Sequence, residues 1–329
     1  MRSFDYLRVD SVAQAIQLKA ANPGARFLGG GTNLIDLLKY DVEDAYQLID
    51  VTALPLDSIE MLPSGGVRIG ALVRNSDLAR HSLITKGYPA LSQAILAGAS
   101  PQLRNMATTG GNLLQRTRCY YFYDTAFPCN KRTPGSGCSA VGGRNRIHAI
   151  LGQSSSCIAT HPSDMAVALA ALDAIVRVEG PQGARSIPIL DFHRLPGDTP
   201  HLDTNLQPDE LIVAVDLPAA PAAATSRYVK VRDRASYAFA LVSAAVVLDV
   251  PDGHIRSARI ALGGVAHKPW RALPAEQQLA GQQPSKAAFE AAAERALHTA
   301  GGYEENRFKI ELAKRTIVRA FSELHGSMS

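Results

Sequence analysis

A chain of 329 residues with 46% apolar content can bury a large core, and at this length it divides into two domains. Its net charge of +4 is too small to argue for nucleic acid or a membrane surface as partner. No run of roughly 18 apolar residues occurs, so no membrane span is expected.

The opening "MRSFDYLRVDSVAQAIQ" has neither an apolar signal core nor a twin-arginine pair, which predicts no export address and, on this chain alone, a cytoplasmic location. Ser11 is placed to cap a helix whose apolar face is Val12, Ala15, Ile16 and Leu18. Pro23-Gly24 is a turn and "ARFL" a short strand, followed by "GGGTN", a helix "LIDLLKY" and a strand "YQLIDV". A strand "GVRIGALV", a helix capped from Ser76 and a helix "PALSQAILAGAS" come next, then a second glycine pair in "QLRNMATTGGNLLQ". Beyond a cysteine-bearing segment, "PSDMAVALAALDAIVRVEG" reads as a helix running into a strand. The Pro/Ala-rich run at 217–226 is the expected linker. After it, "FALVSAAVVLDV", "PDG" and "HIRSARIALGGV" predict a β-hairpin, and helices near 285–299 and 307–324 close the chain.

Three consecutive glycines carry roughly 2–3 kcal/mol of extra chain entropy relative to alanine. Such a run belongs where the backbone needs positive φ or where something approaches it closely. Strand, Gly29-Gly30-Gly31, Thr32-Asn33 and helix together offer bare amides to an anion such as phosphate. A tight turn without ligand is the plainer alternative. Asp50 lies where a Rossmann site keeps its ribose-binding acid, but Leu34 occupies the position of that fingerprint's third glycine. "TTGGN" at 108–112 is a second loop of the same kind, and two such loops suit a dinucleotide whose pyrophosphate is held from both sides.

All four cysteines, Cys119, Cys129, Cys138 and Cys157, fall within 39 residues. Disulfides are unneeded in a core this large, and structural zinc prefers closer pairs. An iron–sulfur cluster tolerates loose spacing if a loop wraps it, although ferredoxin-type spacings are tighter. Unligated buried cysteines remain the alternative. Arg116, Arg118, Lys131, Arg132, Arg144 and Arg146 stand here against Asp124 alone, so the chain's basicity resides in this segment. An anionic four-thiolate cube requires compensating charge or amide donors, and this segment has both. An ordinary wet basic surface is the competing reading. If the charge serves a cluster, Arg132 and Arg144 are expected to raise its potential.

"RFLGGGTNLIDLL", "ATTGGNL", "PSDMAVALAALDA" and "YVKVRDRASYAFALVSAAV", in this order, resemble the FAD-binding medium subunits of molybdenum hydroxylases, the xanthine dehydrogenase and carbon monoxide dehydrogenase group. The resemblance implies an α+β chain. Residues 1–220 would form a two-subdomain FAD-binding domain of the vanillyl-alcohol-oxidase (PCMH) type, with a cysteine-bearing insertion at about 113–158. Residues 225–329 would form a smaller α+β C-terminal domain. It further implies FAD held by Arg26, Phe27, Leu28, Gly29, Gly30, Gly31, Thr32, Asn33 and Leu34, and by Thr108, Thr109, Gly110, Gly111 and Asn112. Asp164 would be an acidic FAD contact, Lys230 would sit near the isoalloxazine, and Ile212 would meet the flavin through its backbone. By themselves, Asp164 reads as a helix cap and Lys230 as a solvated strand residue.

The insertion resembles those of 4-hydroxybenzoyl-CoA reductase β subunits and, more closely, of flavin subunits of bacterial periplasmic aldehyde oxidoreductases, where it binds a [4Fe-4S] cluster. That implies Cys119, Cys129, Cys138 and Cys157 as its ligands and no catalytic residue on this chain. It also implies a large molybdopterin-binding subunit and a small [2Fe-2S] subunit as partners, an external electron acceptor, and a periplasmic destination by co-export. The alternatives are an aromatic acyl-CoA reductase flavin subunit, a metal-stabilised scaffold, or a free-standing FAD oxidase or reductase using His148, His161 or His193 as base.

Overall fold

Short strands bounded by turn residues build three sheets in the computed structural model, which describes residues 1–221 and 224–326. The first sheet is parallel, with β1 (Asp5–Arg8), β2 (Arg26–Leu28) and β3 (Gln47–Asp50) in the order β1-β3-β2. The second is antiparallel and contains β4 (Ile59–Met61), β5 (Val67–Gly70), β6 (Ile175–Gly180), β7 (Gly183–Pro188) and β8 (Leu211–Leu217), ordered β4-β5-β8-β6-β7. The third, also antiparallel, contains β9 (Ala224–Val231), β10 (Val242–Asp249), β11 (Ser257–Gly263) and β12 (Trp270–Arg271), ordered β12-β11-β10-β9.

Most local signals produce the expected elements. Ser11 Oγ accepts the Gln14 amide and starts the helix Val12–Ala21. Three expectations need correction. The helix expected from a Ser76 cap runs Asn75–Arg80 and begins without a side-chain cap. The expected linker at 217–226 is partly strand, because Ala224, Thr225 and Ser226 pair with β10; positions 222 and 223 lie outside the described residues. The hairpin of β10 and β11 is closed by the whole segment 250–256 rather than by Pro-Asp-Gly alone, and Arg256 Nε donates to Asp249 Oδ2 at 2.7 Å.

Every residue of β10 is buried. One face of its sheet packs with the helices Pro89–Ala97 and Asp164–Ala171 and with the second sheet. The other face packs on the helices Leu273–Leu279, Lys286–Ala296 and Phe308–Gly326. The helix Asp164–Ala171 is therefore enclosed on all sides, which explains its unbroken apolar run. Among the described residues no helix is long and apolar enough to cross a membrane.

Lys309, at 0% exposure, stitches the last helix to the cysteine segment. Its Nζ donates to the carbonyls of Ile147 (3.2 Å), His148 (2.7 Å) and Gly264 (2.5 Å). Burial, helped by nearby Arg146, pulls its pKa down to about 7. The unfolded chain, with its normal lysine, therefore binds a proton between pH 7 and 10 that the folded chain lacks, so stability rises with pH in that window. We expect denaturant unfolding to gain about 2–3 kcal/mol between pH 7 and 9. Lys309→Met should flatten that slope relative to wild type, and an unchanged slope would refute the assignment.

Candidate functional site

Gly31, with φ 72°, turns the chain out of β2 toward the helix Leu34–Lys39, a conformation that suits glycine. Gly30 lies against the backbone that leads into the second loop: a Cβ at this position would stand 1.7 Å from the Met106 carbonyl oxygen. Thr108 caps the helix Thr109–Leu113, its Oγ1 accepting the Gly111 amide at 3.2 Å. The two glycine loops thus pack on each other, and together they line a cavity of about 1120 Å³. That is room for a dinucleotide.

Arg26 through Leu34 line this cavity, as do Thr108, Gly110, Gly111, Asn112, Asp164, Ile212 and Lys230. Thr109 does not. It is fully buried, and its amide and Oγ1 both donate to the Val73 carbonyl at 2.9 and 3.0 Å, so it anchors the loop from behind. Asp50 is not in the wall either; it is buried, accepting from Tyr6 Oη and from the Thr52 amide at 2.9 Å. Ile212 sits where the β6–β8 ladder slips register, and a Cβ on Gly110 would meet its Cβ at 3.6 Å. The wall also contains residues the sequence reading missed, among them Arg116, Arg118, Tyr237 and Phe239. Arg118 stacks its guanidinium 5.3 Å from the Phe239 ring.

Asp164 is not the helix cap, because Ser163 takes that role, its Oγ accepting the Ala166 amide at 2.9 Å. The Asp164 carboxylate is free to turn to the cavity, where Oδ2 accepts from Lys230 Nζ at 2.7 Å and Oδ1 from Tyr228 Oη. Lys230, with its side chain 4% exposed, is therefore no solvated strand residue. Burial, and then the facing Asp164 charge, raise the Tyr228 hydroxyl well above its ordinary pKa. The result is a fixed cation–carboxylate–phenol array on one wall.

Nearly the whole cysteine segment is irregular, with a single helical turn at Tyr120–Tyr123. It folds so that Cys119, Cys129, Cys138 and Cys157 line one small cavity together with Lys131. A bridge pairs Cys129 with Cys138, and Asn130 Nδ2 donates to the Ser156 carbonyl at 3.0 Å, tying that lobe to the Cys157 lobe. All four thiols are free. Among the described residues no three His, Cys, Asp or Glu side chains gather as ligands of a single metal ion. Burial, above all, pushes Cys119 up to about 12 and Cys157 up to about 11. These sulfurs stay protonated unless a cationic centre takes the place of the protons.

The basic residues of the segment are mostly paired with acids elsewhere in the chain. Arg116 donates to Asp203 (2.8 Å) and Glu43, Arg118 to Asp36 (3.4 Å), Arg146 to Asp233 (2.7 Å), and Lys131 to Asp203. Arg144, 85% exposed, pairs with Glu305. Arg132 Nη1 donates to the carbonyls of Tyr121 (2.9 Å) and Phe122 (2.7 Å). The expected free positive surround is thus corrected: most of these charges hold the segment in place, and Lys131 is the cation that borders the thiols. A continuous bridge results. Asn33 Oδ1 accepts the Arg116 amide at 2.8 Å, Arg116 and Lys131 share Asp203, and Lys131 reaches the cysteines. His148, His161 and His193, the bases named for a free-standing oxidase, do not line the large cavity, although His201 does.

Residues 2–220 match the family model described as the FAD binding domain in molybdopterin dehydrogenase. The chain belongs to this family. Residues 227–324 match the CO dehydrogenase flavoprotein C-terminal domain. The aldehyde oxidoreductase FAD-binding subunit PaoB of Escherichia coli (strain K12) is 56% identical over 324 residues, covering 98% of either chain. The carbon monoxide dehydrogenase medium chain of Afipia carboxidovorans is 27% identical, covering 88% of this chain and 84% of its own. Among solved structures, a carbon monoxide dehydrogenase from Hydrogenophaga pseudoflava superposes with a TM-score of 0.77 at 26% identity, over 98% of this chain and 96% of its own. As a member of the molybdopterin dehydrogenase FAD-binding family, the chain is an oxidoreductase component with an FAD-binding domain and a C-terminal domain.

Proposed function

We propose that this chain is the FAD- and [4Fe-4S]-bearing electron-transfer subunit of a molybdenum-dependent aldehyde oxidoreductase. In this reading it joins a large molybdopterin-binding subunit and a small [2Fe-2S] subunit in a heterotrimer and delivers electrons to an external acceptor. The observation that carries it is the gathering of all four cysteines on one cavity that side chains link to the large cavity. The likeness to the aldehyde oxidoreductase subunit supports the substrate class. Export of the folded complex to the periplasm with a signal-bearing partner goes with it, as does a division into 1–220, with the insertion at about 113–158, and 225–329.

FAD supplies two-electron acceptance and release, and a four-iron cube supplies one-electron transfer. This chain supplies placement. Arg26–Leu34 with Thr108, Gly110, Gly111 and Asn112 would hold the pyrophosphate and ribityl chain, Thr109 anchoring the second loop from behind, and Ile212, Asp164 and Lys230 would stand around the ring system. Lys131 offsets the negative charge of four thiolates, and the amide of Ala159, 3.5 Å from Cys157 Sγ, donates toward it.

Anoxic purification with the partner subunits, quantifying FAD, iron, sulfide and molybdenum together, tests the reading. Cys157→Ser should lose about four irons per complex and keep its FAD. Equal iron in both proteins would overturn the cluster assignment, and absence of FAD from wild type would overturn the whole.

A further inference from the structure

We infer that His148 is a positioning residue for the cysteine-held centre: its Nε2–H bonds the Cys119 sulfur and raises the electron affinity of the cluster seated there. The inference rests on the proposed cluster. His148 Nε2 lies 3.1 Å from Cys119 Sγ, with His148 1% and Cys119 7% exposed. A metal-bound thiolate has no hydrogen to give, so the contact persists only with the proton on Nε2. Nδ1 has no partner at strict hydrogen-bond geometry, the Asn145 carbonyl being the backbone acceptor beside the ring.

The imidazole is held largely from outside the cysteine lobes. The His148 carbonyl accepts from Lys309 Nζ at 2.7 Å and from Asn306 Nδ2 at 3.3 Å, and Asn306 Nδ2 also reaches the Ala149 carbonyl at 3.2 Å. The Ala149 amide donates to the Ile158 carbonyl at 2.8 Å, next to Cys157. Tyr121 flanks the ring, centroids 6.5 Å apart. The last part of the chain thus aims a donor at one sulfur. Hydrogen bonds to cluster sulfurs stabilise the more negative, reduced form and so raise the potential.

The test is a redox titration of the purified complex, followed by electron paramagnetic resonance, for wild type, His148→Leu and His148→Gln, with iron and FAD counted in each. At the potential where the wild-type cluster is half reduced, H148L should show its reduced-to-oxidised ratio lowered at least about threefold, or about 30 mV. H148Q retains an N–H donor and should stay closer to wild type. The deuterium shift of the Fe–S stretches in the resonance Raman spectrum should be alike in wild type and H148Q and smaller in H148L, where only backbone amides such as that of Ala159 still donate to sulfur. A fully loaded H148L with an unshifted midpoint overturns the inference, as does H148Q shifting as far as H148L, which would mean ring packing alone matters. Should H148L not load, the deuterium shift in H148Q decides: a shift equal to that of wild type supports the bond and a smaller one overturns it. Iron-free wild type overturns the cluster reading and this inference with it.

Discussion

Gly30→Ala is expected to yield a chain that purifies with roughly a tenth of the wild-type flavin or less and is destabilised by about 3 kcal/mol. The added methyl would stand 1.7 Å from the Met106 oxygen and 2.5 Å from its carbonyl carbon. Both are backbone atoms, which cannot swing aside as a side-chain tip would. The two glycine loops must part, and the wall they form together opens at the place proposed for the pyrophosphate. Gly87→Ala is the control, since a Cβ there meets nothing within 4 Å. Flavin content read from the visible spectrum, with thermal unfolding of both variants, checks the result. Equal flavin in G30A and wild type would dismiss the role given to this contact.

Asp203→Ala is expected to cost about 3–5 kcal/mol, as removing one partner of a buried ion pair does. Lys131, with its side chain 1% exposed, would lose its carboxylate beside four thiols, and Arg116 would keep only Glu43. Lys131, Arg116 and His267 together hold the Asp203 carboxyl well below the usual range despite the opposing effect of burial. A depressed carboxylate pKa means that its stabilising contribution is present above about pH 4 and fades as pH falls toward the folded-state value. The stability gap between wild type and Asp203→Asn should therefore be widest near neutrality and narrow in acid, as measured by urea unfolding at pH 7, 5 and 3.5. A gap independent of pH would exclude the ionised carboxylate as its cause.

Local signals in the sequence translated well into structure. Ser11 as a cap, the strand–glycine–helix turn at 26–39 and the apolar runs of β10 and β11 each depend on near neighbours, and each formed. What depended on distant partners was not legible. That Gly30 touches Met106 is a tertiary fact between two loops, invisible to either one alone. The basic residues of 116–146 were countable, but their acids, Asp36, Glu43, Asp203, Asp233 and Glu305, are spread over the rest of the chain, so a charge count could not reveal the pairing. Asp164 read as a cap because aspartate is a good one, yet the adjacent Ser163 is equally good and its hydroxyl won. Thr109 was grouped with its loop, but its buried hydroxyl faces Val73. The cysteines match no short spacing rule because irregular loops, with only the helical turn Tyr120–Tyr123 among them, bring them together.

Arg116 and Arg118 belong at once to the cysteine segment and to the wall of the large cavity. The sulfur-rich stretch is consequently no detachable appendage. Trimming the chain from 116 to 158 to obtain a minimal flavoprotein would tear out part of the nucleotide enclosure, strand Asp36 and Asp203 without their arginine and lysine partners, and leave Glu43 with Arg26 alone.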